Sequence, residues 1–341
     1  MDGLDQQTAS IYAPIQTLLD QVDQKLTNLT QTDAPYLGPL LDYVLAKGGK
    51  RIRPAVTLLA AGFHGGNPEN PVIMASAVEL LHLATLIHDD TVDNSDLRRG
   101  KATVTNLWGP HVAVLFGDYV FATAATFVCD TGNVRVIRRF SETIMDLASG
   151  ELVEYFNAFD AQQARDVYHD RIYRKTASLF CTAAETGAVL GGAPEDDVQI
   201  LRDYAYKIGM AYQMVDDLLD IRGDADALGK PVGNDLLQGV MTLPTIMLME
   251  RYPDDNPIRD LFKDRKPDGA YRRDGPDGQD SGDDNVSRTL EMINNSTIVD
   301  DCYGVIREYC DGARLALESL PDCESRRSLM VLADYIWERS H

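Results

Sequence analysis

Residues 79–93 read ELLHLATLIHDDTVD. Leu80, Leu83, Ala84 and Ile87 recur at three- and four-residue spacing, which is the helical period. The apolar positions fill more than one face, as in a helix that is buried. The same run extends back to Pro71, so Pro71 to Ile87 is the longest apolar stretch, interrupted by Glu79 and His82. That interruption favours a buried helix over a membrane span. A core helix that ends in three aspartates is the feature from which the rest is read.

Outward from this stretch the helical period continues. Segments 8–29, 36–47, 54–63, 71–94, 110–129, 134–158, 168–190, 195–222, 241–251, 287–319 and 324–339 all carry it. Turn signals separate them, among them Gly65-Gly66-Asn67-Pro68, Gly109-Pro110, Gly191-Gly192-Ala193-Pro194 and Tyr252-Pro253. No convincing alternating strand pattern occurs. The expected class is all-α, a single large helical bundle over 1–341. The segment 263–287, KDRKPDGAYRRDGPDGQDSGDDNVS, is rich in Gly, Asp, Pro and Arg and is expected to be an exposed flexible loop.

Composition bounds the function. Of 341 residues, 53 are Asp or Glu and 32 Lys or Arg, a net charge of −21. This disfavours nucleic-acid binding, which needs Lys and Arg to displace phosphate counterions, and it disfavours attachment to anionic lipid through basic patches. The acids are 40 Asp against 13 Glu, and the bases 23 Arg against 9 Lys. Asp-rich, Lys-poor composition resembles that of proteins from salt-loving organisms; the alternative is a merely soluble acidic protein. Cys129, Cys181, Cys302, Cys310 and Cys323 are odd in number and form no CxxC pair, so no disulfide framework or structural zinc site is expected. The start, Met1-Asp2-Gly3-Leu4-Asp5, lacks the basic and apolar regions of a signal peptide. A cytoplasmic location is expected.

Two stretches have the form DDxxD: Asp89, Asp90, Asp93 and Asp216, Asp217, Asp220. Alone, each is weak and describes a solvated acidic helix face. Their context differs, because LLHLATLI and AYQMV precede them and look like core. Carboxylates there need a cation or a hydrogen-bonding partner. Asp89 and Asp93 are four apart and share a helix face, as do Asp216 and Asp220. Oxygen-only donors suit Mg²⁺, which takes one or two carboxylates, retains water and accepts phosphate oxygens. Nothing suits zinc or haem. The scarce cations cluster nearby: Gly48-Gly49-Lys50-Arg51-Ile52-Arg53-Pro54, Arg98-Arg99-Gly100-Lys101, Lys175-Thr176 and Gly229-Lys230. Such clusters describe a site gripping two polyanionic groups, one through metal and one directly. His82, Asp89 and Asp93 fall within roughly 40° around the helix axis, and Gln213, Asp216 and Asp220 form a similar stripe.

Together GGKRIRP, ELLHLATLIHDDTVDNSDLRRGKATV, LFGDYV, YRKTASLF, AYQMVDDLLDIRGDADALGKPVGNDL and TLPTIM resemble the trans-isoprenyl diphosphate synthases, or polyprenyl synthetases, from about residue 44 to 250. With the composition, the resemblance implies a member from a halophilic archaeon. It implies a bundle around a deep central cavity, a homodimer, and Mg²⁺, roughly three ions with substrate bound. It implies Asp89, Asp93 and Asp216 as main metal ligands, with Asp90, Asp217 and Asp220 in support. Arg98, Lys175 and Lys230 would hold the allylic diphosphate; Lys50, Arg53, His82 and Arg99 would hold isopentenyl diphosphate. Thr176 and Gln213, with Lys175, would serve the developing carbocation. Many relatives carry a Lys where this chain has Val240. Leu81, Ala84, Thr85 and Ala125 would set chain length, and the small Ala84 and Ala125 imply an open tunnel and a medium- or long-chain product.

Other readings compete. A geranylgeranyl or geranylfarnesyl diphosphate synthase for membrane lipids shares the whole pattern. A terpene cyclase needs no second diphosphate site, so GGKRIRP and Arg99 speak against it. A non-catalytic synthase subunit typically loses acidic-motif residues, and here all six are present. No stable membrane insertion is expected.

Overall fold

A computed structural model describes residues 9–46, 49–98, 100–223, 232–263, 265 and 281–339. It is 77% helical, so the all-α expectation holds. The sole strands among the described residues are Leu97–Arg98 and Lys101–Ala102, a two-residue antiparallel ladder with Arg98 opposite Lys101. The period-2 signal needs more residues than this ladder has, which is why no strand was expected.

The chain divides into two compact units. One comprises Met1–Ile144, Leu179–Tyr206 and Ala313–Tyr335; the other comprises Met145–Ser178, Lys207–Gly312 and Ile336–His341.

The first unit is organised on helix Glu69–Val92, which packs against helices Pro110–Asp130, Ile52–Ala61 and Gln16–Asn28. Val72, Met74, Ala75, Ala77, Val78, Leu80, Leu81, Ala84 and Ile87 are all buried, so it is apolar almost all round because it is buried all round. It starts where Pro68 sets the entry and Asn67 Oδ1 accepts from the Glu69 N–H at 3.1 Å. Asp93 closes its C-terminal end, its N–H bonded to the Asp89 carbonyl at 2.8 Å. Helix Pro110–Asp130 begins with Pro110 after Gly109 at φ +84. It approaches closely because Gly117 has no side chain: a Cβ there would stand 2.2 Å from His88 Nε2. Both long helices are apolar enough by composition to cross a membrane, but the apolar window of Glu69–Val92 is 67% buried within the protein, as its role in the core requires.

In the second unit, helix Ser281–Asn294 packs against Pro257–Phe262 and Leu243–Arg251, and Leu243–Arg251 packs against Arg165–Ile172. Thr242 and Thr245 form a capping box that starts Leu243–Arg251. Asn256 Oδ1 accepts from the Ile258 N–H at 2.9 Å and starts Pro257–Phe262.

Three boundaries differ from expectation. The segment 168–190 is helix Arg165–Ile172, a π turn at Tyr173–Ala177, and helix Ser178–Leu190. The segment 287–319 is two helices, Ser281–Asn294 and Ile298–Leu317. Ser296 Oγ accepts from the Ile298 N–H at 3.2 Å, so the break is a helix cap. The expected loop at 263–287 gives way to helix at Ser281, because an acid-rich run suits a helix N-terminus; 264 and 266–280 lie outside the described residues.

Candidate active site

In the first unit the basic turn docks on one face of helix Glu69–Val92. Arg51 adopts left-handed backbone, φ 51, unusual for a residue with a side chain. Its Nη1 donates to Glu79 Oε1 at 2.5 Å and its Nε to Asp23 Oδ1 at 3.0 Å. Burial works against the Arg51 charge, but Glu79 and then Asp23 hold its pKa above the ordinary value. Arg53 Nη1 lies 3.3 Å from His82 Nε2, and its guanidinium sits 4.6 Å from the Phe180 ring centroid. Glu79 and His82 are three apart and so share a helix face. Lys50 Nζ donates to the Tyr335 hydroxyl at 2.7 Å, and the Tyr12 hydroxyl bonds to the Lys50 carbonyl. The structure thus brings Arg53 and His82 together directly, whereas Lys50 has a different partner.

Of the first acidic motif, Asp90 is 5% exposed, Asp89 half-buried and Asp93 exposed. Arg98 Nε donates to Asp90 Oδ1 at 2.6 Å from the short hairpin. Arg99 lies outside the described residues. Leu81 and Ala84 are fully buried, and Thr85 and Ala125 half-buried.

The second unit holds the other acidic motif and a continuous polar network. Asp217 and Asp220 are each 2% exposed. Thr176 Oγ1 donates to Gln213 Oε1 at 2.6 Å, and Gln213 Nε2 donates to Asp217 Oδ1 at 2.8 Å. The Tyr168 hydroxyl donates to Asp217 Oδ2 at 2.7 Å. Burial pushes the Asp217 carboxyl up to about 6, against the downward pull of these two donors. Asp220 Oδ2 accepts from the Asp235 N–H at 3.1 Å. Arg339 Nη2 donates to Asp216 Oδ1 at 3.0 Å.

Lys175 and Thr176 both sit on the π turn, a local widening often found where function requires it. Lys175 Nζ is held by Glu154 at 2.6 Å and Glu151 at 3.0 Å. Burial would raise the Glu154 pKa, but Lys175 and then Arg171 bring it below the ordinary carboxylate range. Arg171 is 3.6 Å from Glu154 and donates to the Met241 carbonyl at 2.6 Å. It thereby fixes the backbone next to Val240. Lys230 lies outside the described residues.

Sequence reasoning passed over Glu79, Glu151, Glu154, Tyr168, Arg171 and Arg339. A signal for one of them existed: Glu is rare in this chain, and Glu79 stands in a helix of otherwise apolar pattern.

The six aspartates offer oxygen donors only, which fits a hard divalent cation. Among the described residues, no three His, Cys, Asp or Glu side chains form a ready-made metal cage. Asp90 and Asp216 each carry a guanidinium, from Arg98 and Arg339. A surface hollow of about 510 Å³ in the second unit, walled by Arg165, Glu250, Arg251 and Asp301, contains none of these residues. Its arginines and acids are paired with each other.

Residues 34–272 match the family model described as polyprenyl synthetase. The chain is 33% identical over 332 residues to heptaprenyl diphosphate synthase component 2 of Geobacillus stearothermophilus, covering 97% of this chain and 99% of the relative. It is 32% identical over 305 residues to the short chain isoprenyl diphosphate synthase of Methanothermobacter thermautotrophicus, covering 88% and 89%. A solved structure, polyprenyl synthase from Caulobacter crescentus complexed with calcium and isoprenyl diphosphate, is similar with TM-score 0.87 and 31% identity over 98% of each chain.

Proposed function

Because this chain belongs to the polyprenyl synthetase family, we propose that it is a Mg²⁺-dependent trans-prenyltransferase that condenses isopentenyl diphosphate with an allylic diphosphate, giving a linear polyprenyl diphosphate of medium or long chain. The observation that carries this reading is the network Thr176–Gln213–Asp217, which joins a hydroxyl on the π turn, through an amide, to the acidic motif on the amide's own helix.

Asp89, Asp93 and Asp216, with Asp90, Asp217 and Asp220 in support, would hold Mg²⁺, roughly three ions with substrate bound, and the metal would supply positive charge to the departing diphosphate. Lys175, Arg98 and Lys230 hold the allylic diphosphate and stabilise the negative charge that gathers as its carbon–oxygen bond breaks. Lys50, Arg53, His82 and Arg99 hold isopentenyl diphosphate, so its double bond meets the allylic cation at short range. Thr176 and Gln213 present dipoles to that cation. A proton then leaves the new C–C unit, and the released diphosphate accepts it; no side-chain base is needed. The paired state of Lys175 on Glu151 and Glu154 supports a role as a cation exchanged onto substrate.

The finer assignments rest on separate support. The buried, small Ala84 favours an open product tunnel. The relatives named above include a heptaprenyl and a short-chain synthase at nearly equal identity, so product length rests on such positions. Residues 1–341 act as one catalytic domain, and two copies form a homodimer. Val114 and Leu115 on helix Pro110–Asp130, 44% and 71% exposed, supply apolar surface for that pairing. The −21 charge supports a halophilic archaeal source and a salty cytoplasm.

Calorimetric titration with Mg²⁺, isopentenyl diphosphate and an unreactive allylic diphosphate analogue tests the reading. Two diphosphates bound together per chain are expected. A single bound diphosphate would favour the terpene cyclase.

A further inference from the structure

Arg339 follows the last helix, Glu324–Glu338, and ends on the first carboxylate of the second acidic motif. Its Nη2 donates to Asp216 Oδ1 at 3.0 Å, and its guanidinium lies 4.6 Å from the centroid of the Tyr212 ring. Tyr212 and Asp216 are four apart on helix Glu195–Arg222, so one guanidinium takes its edge contact and its face contact from a single helix face. The Arg339 side chain is 16% exposed, against 38% for Asp216. The more buried partner of this pair is therefore the arginine, docked onto a carboxylate that still faces water.

We infer that Arg339 is a positioning residue for Asp216: it neutralises and orients this carboxylate in the metal-free protein, and it gives up the carboxylate oxygen when a divalent cation binds. The inference rests on reading Asp216 as a metal ligand. A guanidinium and a divalent ion on one carboxylate oxygen repel each other across a few ångströms, so each weakens the other's hold. Metal binding and docking of the chain end are then linked, and the linkage is reciprocal: whatever Arg339 costs the metal in affinity, the metal costs the docked arginine. The second acidic motif would thus be held in order without metal, at the cost of weaker binding of the first ion.

Trp337 supplies a reporter two residues from Arg339. Its ring meets the Tyr303 ring edge-on at 6.1 Å, and the Arg307 guanidinium lies 5.8 Å away. The chain has two tryptophans, so Trp108→Phe leaves Trp337 as the only one.

The test measures Mn²⁺ binding without substrate by the loss of the free-ion paramagnetic resonance signal, and Trp337 emission during Mg²⁺ titration in the Trp108→Phe background. Arg339→Gln is expected to tighten Mn²⁺ binding by on the order of 5-fold or more, with Arg339→Lys in between. Loss of a merely structural contact would weaken binding instead, so the sign is diagnostic. Mg²⁺ is expected to change Trp337 emission in the parent and not in Arg339→Gln. Equal or weaker Mn²⁺ affinity in a folded Arg339→Gln protein overturns the inference. Asp216→Asn separates the two layers. If it weakens Mn²⁺ binding while Arg339→Gln changes nothing, the arginine role alone fails. If it leaves Mn²⁺ binding unchanged, the ligand role of Asp216 fails and the inference falls with it.

Discussion

Arg51 and Glu79 form a 2.5 Å ion pair in which both side chains are largely out of water, 16% and 6% exposed. Glu79 is a carboxylate in the middle of a buried apolar helix, and Arg51 is held in left-handed backbone between Lys50 and Arg53. The pair ties the basic turn to the helix that carries His82 and the first acidic motif. Glu79→Gln removes the charge and keeps the shape. Breaking such a pair leaves an uncompensated buried charge, and Asp23 offsets part of it, so a loss of about 3 kcal/mol in urea unfolding is expected. The KM for isopentenyl diphosphate should rise more than kcat falls. Unchanged stability and KM would mean that the pair does not position the turn.

Gly150 faces the π turn at close range. A Cβ there would stand 2.9 Å from Arg174 Cβ and 3.0 Å from the Lys175 backbone nitrogen. Gly→Ala in an ordinary helix interior gains about 1 kcal/mol. Here the sign reverses: Gly150→Ala should lose about 1–3 kcal/mol by overpacking and weaken binding of the allylic diphosphate. A stabilised Gly150→Ala protein with normal allylic binding would show that the turn has room to move.

Lys175 and Glu154 make a pH-dependent contribution whose sign follows from the carboxyl. The pKa of Glu154 is depressed in the folded protein, so its stabilisation is present above the ordinary carboxylate range and is lost as pH falls through the folded value. Lys175→Met should destabilise the protein at pH 7, and the difference from the parent should close as the pH falls below the ordinary carboxylate range, through the depressed Glu154 value. It should also lower kcat by about 100-fold. A stability difference that is constant with pH would assign the effect to packing.

Ala84 is fully buried one turn before the first acidic motif. Ala84→Phe should shorten the product, at about 1–3 kcal/mol of overpacking. An unchanged product ladder from a folded variant would refute the open-tunnel argument.

Much of this was legible in the sequence, for identifiable reasons. The core helix Glu69–Val92 announced itself because its apolar residues fill more than one face. The DDxxD motifs stood out because carboxylates rarely end such helices. What escaped was geometry that periodicity averages away. The π turn at Tyr173–Ala177 keeps helical spacing to within one residue, yet it sets where Lys175 and Thr176 point. The break after Asn294 was written in Asn295-Ser296-Thr297, a capping sequence that the long apolar pattern on either side outweighed. Partner choice was hidden as well: Lys175 reads as a phosphate cation, and its resting partners Glu151 and Glu154 lie 24 and 21 positions earlier in the chain. Arg339 lies 123 positions from Asp216, beyond any local rule.

On the proposed function, this chain joins isopentenyl units to an allylic diphosphate with the help of a divalent cation. Labelled isopentenyl diphosphate, incubated with the purified protein, Mg²⁺ and a series of allylic primers at low and high salt, tests it directly. The expected result is a ladder of products extended by whole isoprene units beyond geranylgeranyl, abolished by chelation and restored by Mg²⁺. No incorporation at any salt concentration, or incorporation indifferent to chelation, would contradict it.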